Sequence, residues 1–240
     1  MHIAVGVSAR HLHLSDEHLE ILFGQGYHLT PKRRLSIPTQ YVCEERVSIR
    51  GARGVIHNVA IIGPTRARTQ VEVTRTDAVT LGATPPIRLS GDLEGSAPVT
   101  ITGPKGQVEL PEGLIVAMRH IHMTEKDADE LGFSHKDYAM VIVPGPRSLV
   151  FDHVVVRVAR EHTHTELHID TDEANTASLS NDEKVNLLRI NDKKIRLEQL
   201  IAMFDERQLK QVEACIADIV AEERRKVAEM EDMLALLRKG

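Results

Sequence analysis

Residues 10–15 read RHLHLS and residues 119–124 read RHIHMT. The order Arg, His, apolar, His, apolar, hydroxyl therefore occurs twice. In a chain with 13 histidines one such pair could be composition alone. The flanks repeat as well, VGVSARHLHLSDEHLEILFG against VAMRHIHMTEKDADELGF, which marks an internal duplication. It reaches further along the chain. Laying TQVEVTRTDA (69–78) on TELHIDTDEA (165–174) matches Thr69 with Thr165, Val71 with Leu167, Val73 with Ile169 and Ala78 with Ala174. In that register Glu72 falls on His168.

Between and around these motifs, up to about residue 178, short runs alternate apolar and polar residues (VSIRG, QVEVTRT, VTITG, QVEL, VVVRVA) and are separated by Gly, Pro, Asp and Asn. That period of two reads as β-strands. Ser15 and Thr124 are suitable N-caps, acidic residues follow each, and apolar positions such as Leu19, Leu22, Ala128 and Leu131 come next, so a short helix is expected after each His-x-His. From about Asp205 the period becomes helical, with Leu209, Val212, Ile216, Ile219, Met230, Met233 and Leu237 at spacings of three and four around a charged stretch, Glu222 to Lys226. KVNLLRINDKKIRLEQL before it reads as a hairpin turning at Asn191-Asp192.

On a strand, residues i and i+2 point to one face about 7 Å apart, close enough to share an ion. His11 with His13 and His120 with His122 satisfy this. Val5, Val7 and Ala9 have the parity of His11, and Leu114, Val116 and Met118 that of His120, so each imidazole pair is expected to continue an apolar, inward face. Adding the third position gives two candidate metal sites: His11, His13 and Glu72, and His120, His122 and His168. His162, His164 and Glu166 share the strand parity of His168 and stand as alternatives to it. Zinc, two ions per chain, suits imidazole and carboxylate donors, and Mn, Fe and Co remain compatible. Arg66 and Arg68 precede Glu72, and Arg66 shares its parity. A guanidinium fork suits phosphate oxygens.

Composition narrows the class. The net charge is −5 and aromatic residues make up 3% of the chain, which argues against a nucleic-acid binder. Residues 28–88 nevertheless hold ten Lys and Arg against four Asp and Glu, a local excess that fits a small polyanionic ligand. No apolar run is long enough to span a bilayer, and no secretory leader is evident at the N-terminus. Two separated cysteines, Cys43 and Cys215, form no CxxC. A cytoplasmic protein without membrane partner is expected. No GxSxG elbow occurs, and Cys43 lies beside Glu44 and Glu45, which disfavours its thiolate.

VGVSARHLHLS, NVAIIGPTRARTQVEVTRTDAVTLG, PIRLSGDLEGS, GLIVAMRHIHMT and ELHIDTDEANTA, in that order over residues 3–177, resemble the PduL-type phosphotransacylases, also called phosphate propanoyltransferases. The resemblance implies a mainly β fold: two duplicated β-barrels capped by short helices with the site between them; the helical period adds a helical C-terminal extension. Residues 1–9 would complete the second barrel, 10–118 form the first, 119–178 the second, and 179–240 the hairpin and helical extension. The implied reaction is exchange of a short-chain acyl group, propanoyl or acetyl, between coenzyme A and inorganic phosphate. The family's metal ligands carry over to the same six residues. Arg66 and Arg157 would bind phosphate, with Gln70 and Ser90 lining the pocket. Phosphate would attack the thioester directly, held by the second metal and the arginines, while the first metal steadies the thiolate or polarises the carbonyl.

Two departures stand out. The family usually has Pro-Gly-Gln where this chain has Pro38-Thr39-Gln40, and the N-terminal targeting helix of microcompartment-housed members is not seen. The helical extension lies outside the resemblance, and its apolar stripe is open to two readings, packing on its own domain or forming a homo-oligomer. The competing readings are a two-metal hydrolase of thioesters or acyl phosphates, independent of added phosphate, and a non-catalytic scaffold stabilised by zinc. A bicupin-like oxygenase using Glu17 fares worse, because the second copy carries Lys126 at that offset.

Overall fold

The structure is a computed structural model and describes residues 1–189 and 206–237. In chain order the elements are β1 (His2–Ser8), β2 (His11–His13), α1 (Asp16–Phe23), β3 (Pro31–Arg34), β4 (Tyr41–Arg50), β5 (Val55–Gly63), β6 (Gln70–Glu72), α2 (Arg75–Leu81), β7 (Ile87–Arg88), β8 (Ala97–Thr102), β9 (Gln107–Ala117), β10 (His120–Met123), α3 (Glu125–Leu131), β11 (Tyr138–Val143), β12 (Leu149–Val158), β13 (Glu166–Asp170), α4 (Thr171–Ala177), β14 (Lys184–Arg189) and α5 (Glu206–Leu237). Residues 1–190 and 191–240 fall into separate compact units. The hairpin expected at Asn191-Asp192 lies outside the described residues.

Two six-stranded barrels form. In the first the pairing runs β4, β5, β2, β6, β9, β8 and returns to β4, with β3 added at β4 and β7 at β9. The second closes through β1, β13, β10, β12, β11 and β14. Each has its own core. Leu12, Leu14, Val47, Ile49, Ile61, Val71 and Leu114 are buried in the first, and Ile3, Val5, Ile121, Met123, Val154, Val156 and Leu167 in the second. Closing a sheet removes the unpaired edges that would otherwise invite aggregation.

The barrels exchange a strand. β1 precedes the first His-x-His yet runs parallel to β13 in the second barrel, with Val5 opposite Leu167. The C-terminal half of β9 precedes the second His-x-His yet runs parallel to β6 in the first, with Leu114 opposite Val71. The chain thus crosses from one barrel to the other immediately before each motif. This overturns one expectation from parity. Val5 faces the second core, but in β2 it is Leu12, not the histidines, that faces the first core; Leu114 and Ile121 repeat the reversal. The linkers Ala9-Arg10 and Met118-Arg119 are not strand, so alternation is reset at each crossing, and both imidazole pairs turn out of the cores.

Among the described residues, short helices follow β2 and β10 as expected, and two more follow β6 and β13. Ser15 and Thr124 accept hydrogen bonds from the backbone N–H of His18 and Asp127, as their sequence positions suggest. α2 and α4 begin with full capping boxes, Thr74 with Asp77 and Asp170 with Glu173. The second barrel also runs past residue 178. β14 lies beyond that boundary and pairs with both β1 and β11, because Val185 and Leu187 alternate into the core. Among the described residues no helix is long and apolar enough to cross a membrane.

Candidate metal centres and anion pocket

The two ligand ladders are built at one register. β2 pairs antiparallel with β6, so His11 faces Glu72 and His13 faces Gln70. β10 pairs antiparallel with β13, so His120 faces His168 and His122 faces Glu166. Within each trio, His11, His13 and Glu72 or His120, His122 and His168, the donor atoms lie within 4.8 Å of one another. A Cβ on Gly6, the residue opposite His168, would come within 3.1 Å of both the Glu166 carboxyl carbon and His168 Nε2, so any side chain there would press on His168 and Glu166.

Hydrogen bonding orients the rings. Nδ1 of His11 meets the Ala9 carbonyl at 2.9 Å, that of His13 the Ile62 carbonyl at 3.0 Å, and that of His120 the Met118 carbonyl at 2.9 Å. A carbonyl only accepts, so each Nδ1 carries the proton and each Nε2 is left with a lone pair. His122 reaches the same state by a relay. His162 Nδ1 donates to the Met123 carbonyl at 3.1 Å, and His122 Nδ1 donates to the freed His162 Nε2 at 2.8 Å. The Nε2 atoms of His120 and His122 then face each other at 3.1 Å, two lone pairs with no proton between them. Such a contact suits a cation, and the donor set fits zinc or a similar ion.

The titration of these groups agrees. Burial, then the neighbouring His11 and Arg66, pushes His13 down to about 3. Burial, then His168, lowers His120 and His122 in the same way. Neutral imidazole, the ligating form, therefore persists across the physiological range. Burial alone would raise Glu72, but His11, His13 and the Ser90 hydrogen bond hold it well below the usual carboxylate range.

Above Glu72 sits a polar knot. Ser90 Oγ donates to Glu72 Oε1 at 2.8 Å, accepts from Gln70 Nε2 at 2.9 Å and from Arg66 Nη1 at 3.2 Å, while Gly91 N–H donates to Gln70 Oε1 at 2.7 Å. Arg157 stands on β12 opposite His122. Burial lowers the pKa of both Arg66 and Arg157, Glu72 acts on each in the opposite sense, and Arg157 also depresses Arg66. Two partly desolvated guanidiniums from different barrels thus lie within the field of Glu72, and Glu161 also acts on Arg157; such forks suit the oxygens of an anion. Arg68 is not part of this group; it is largely exposed and lies 3.8 Å from Glu112.

The alternatives to His168 sort themselves by position. His162 stands behind His122 as its hydrogen-bond partner. Glu166 lies 2.7 Å from His168 Nε2, and His164, half-exposed, lies 3.7 Å from Glu166. Sequence reading missed the braces beneath the ladders, Arg10 to Asp77 at 2.8 Å and Arg119 to Glu173 at 2.7 Å. Their signal was present, since both arginines open the repeated motif and both acids are the third residue of a short helix. Cys43 is buried, and burial with Glu45 pushes its thiol up to about 11.

Residues 4–180 match the family model described as phosphate propanoyltransferase. Among curated proteins, the chain is similar to a phosphate propanoyltransferase of Thermotoga maritima, 52% identical over 78% of this chain and 89% of that one. It is likewise similar to that of Listeria monocytogenes, 50% identical over 72% and 81% of the two chains, and to that of Salmonella typhimurium, 45% identical over 75% and 85%.

Proposed function

The chain belongs to the phosphate propanoyltransferase family, and on that premise we propose that it exchanges a short acyl group between coenzyme A and inorganic phosphate in the cytoplasm. Acyl-CoA and phosphate are interconverted with acyl phosphate and CoA, with propanoyl and acetyl as the candidate acyl groups. The observation that carries this reading is that each donor trio has an arginine beside it: Arg157 stands opposite His122 of one, and Arg66 donates to Ser90, which donates to Glu72 of the other.

His11, His13 and Glu72 would hold one ion and His120, His122 and His168 the other. Zinc or a related divalent metal there supplies Lewis acidity toward a thioester carbonyl or a departing thiolate. The protein's own part is positioning. Arg66 and Arg157 grip the phosphate dianion and aim one oxygen outward, a task for which a fixed fork loses little freedom. Ser90 bridges Arg66 to Glu72, and Gln70 holds Ser90 in place. Cys43, protonated at neutral pH and buried in the first core, offers no nucleophile, which favours transfer in one step from thioester to phosphate. A cleft of about 290 Å³ walled by Tyr27, His28, Tyr41, Pro64 and Thr65, with Asp16 and Glu20 also on its lining, is large enough for part of the coenzyme A chain.

Ultraviolet absorbance of the thioester tests the reading. Purified, zinc-supplemented protein should consume propanoyl-CoA only when inorganic phosphate is present, and should yield propanoyl phosphate. Consumption without phosphate would make it a hydrolase instead, and no consumption of propanoyl-CoA or acetyl-CoA by folded, metal-loaded protein would leave a scaffold. Discrimination between the two acyl groups rests on one methylene, worth about 1–3 kcal/mol.

A further inference from the structure

The helix α5 spans 32 residues, about 48 Å at 1.5 Å per residue. Ile216, Val220, Val227 and Met230 on it are between 43% and 53% exposed. Positions 209, 212, 216, 219, 223, 226, 230, 233 and 237 follow one another at strictly alternating steps of three and four and carry Leu, Val, Ile, Ile, Glu, Lys, Met, Met and Leu. This is the spacing of a coiled-coil seam. Its two central residues are charged, with opposite signs.

The sequence is self-complementary about that centre. Run against a second copy in the opposite direction, Glu223 meets Lys226 of the second copy and Lys226 meets its Glu223. The same register sets position 216 against 233, 219 against 230 and 212 against 237, every one an apolar layer. On one flank Val220 meets Val227 of the second copy, so all four exposed apolar residues gain a partner. On the other flank positions 222 and 229, both Glu, come together, and Lys226, 3.2 Å from Glu222 within its own chain, offsets that contact. A parallel pair would instead bury Glu223 on Glu223 and Lys226 on Lys226. Like charges facing each other in a seam are strongly disfavoured. We infer that α5 pairs with a second copy of this chain as an antiparallel coiled coil, its two-fold axis passing between Glu223 and Lys226.

Spin labels on the full chain test this, with Cys215→Ser and one added cysteine, Arg225→Cys near the axis or Gln211→Cys far from it. Cys43 is buried and its thiol remains protonated, so it escapes labelling. Antiparallel pairing predicts an interchain distance of about 20 Å at 225, the width of two helices, and about 40 Å at 211, from 27 residues of axial offset. Short distances at both sites would mean a parallel pair, and no interchain distance at either would mean that α5 has no second copy; both overturn the proposal. Glu223→Lys should reduce the population showing the 225 distance about tenfold, and adding Lys226→Glu should restore it. An unchanged population in Glu223→Lys contradicts the seam.

Discussion

The first barrel and the second hold the same strand pair at the same register and furnish it differently. Opposite His11 and His13 the first places Glu72 and Gln70; opposite His120 and His122 the second places His168 and Glu166. Each ladder therefore has one carboxylate, at exchanged positions. The supports also differ. His13 leans on a backbone carbonyl, whereas His122 leans on a side chain, His162. Arg66 reaches its pocket from a loop of the first barrel, and Arg157 from a strand of the second, at the place that Ile62 occupies in the first. Backbone register fixes where donors stand, and two residues per barrel decide what they are. Duplication thus supplied a pair of sites whose chemistry could diverge without moving a strand.

The largest effects should come from removing either ladder. His11→Ala and His120→Ala are each expected to lower acyl transfer by about three orders of magnitude or more while leaving circular dichroism unchanged, since both rings lie outside the cores. Near-normal turnover in one of them would confine catalysis to the other barrel. Next come the arginines. Arg66→Lys and Arg157→Lys keep the charge but lose the fork, and kcat/KM for phosphate should fall roughly 10- to 100-fold, the value of one or two charged hydrogen bonds. A loss in only one variant would show that the two barrels do not share the anion.

His162→Phe separates the barrels more finely. Metal affinity should drop about 10- to 100-fold at the second centre alone, read by competition with a chelator, because His13 has no side-chain support to lose. Helix caps give a smaller, symmetrical effect: Thr74→Ala and Asp170→Ala should each cost about 1 kcal/mol in denaturant unfolding. Cys43→Ser should leave turnover unchanged. The wild-type thiol, raised to about 11, should resist alkylation at neutral pH and react only toward strongly alkaline pH or on unfolding, since its thiolate forms as pH rises through that value.

The duplication, the two histidine pairs and the Glu72-for-His168 exchange were legible because a strand ladder has a period of two and keeps it. The face reversal at Ala9-Arg10 and Met118-Arg119 was not, since parity cannot be carried across a crossing between barrels. α2 and α4 were missed because seven residues rich in Thr and Asp show no apolar stripe, although Thr74-x-x-Asp77 and Asp170-x-x-Glu173 are capping signals. Arg157 entered only through family resemblance. VVVRVA by itself reads as a core strand, and nothing in it tells that Arg157 stands opposite His122 of β10.

The most direct measurement is metal content per chain, by mass spectrometry of the elements, in wild type, His11→Ala and His120→Ala after zinc loading and removal of free ion. Two independent centres predict two equivalents in the wild type and one in each variant. A single equivalent in the wild type, or loss of both ions from one substitution, would contradict the account.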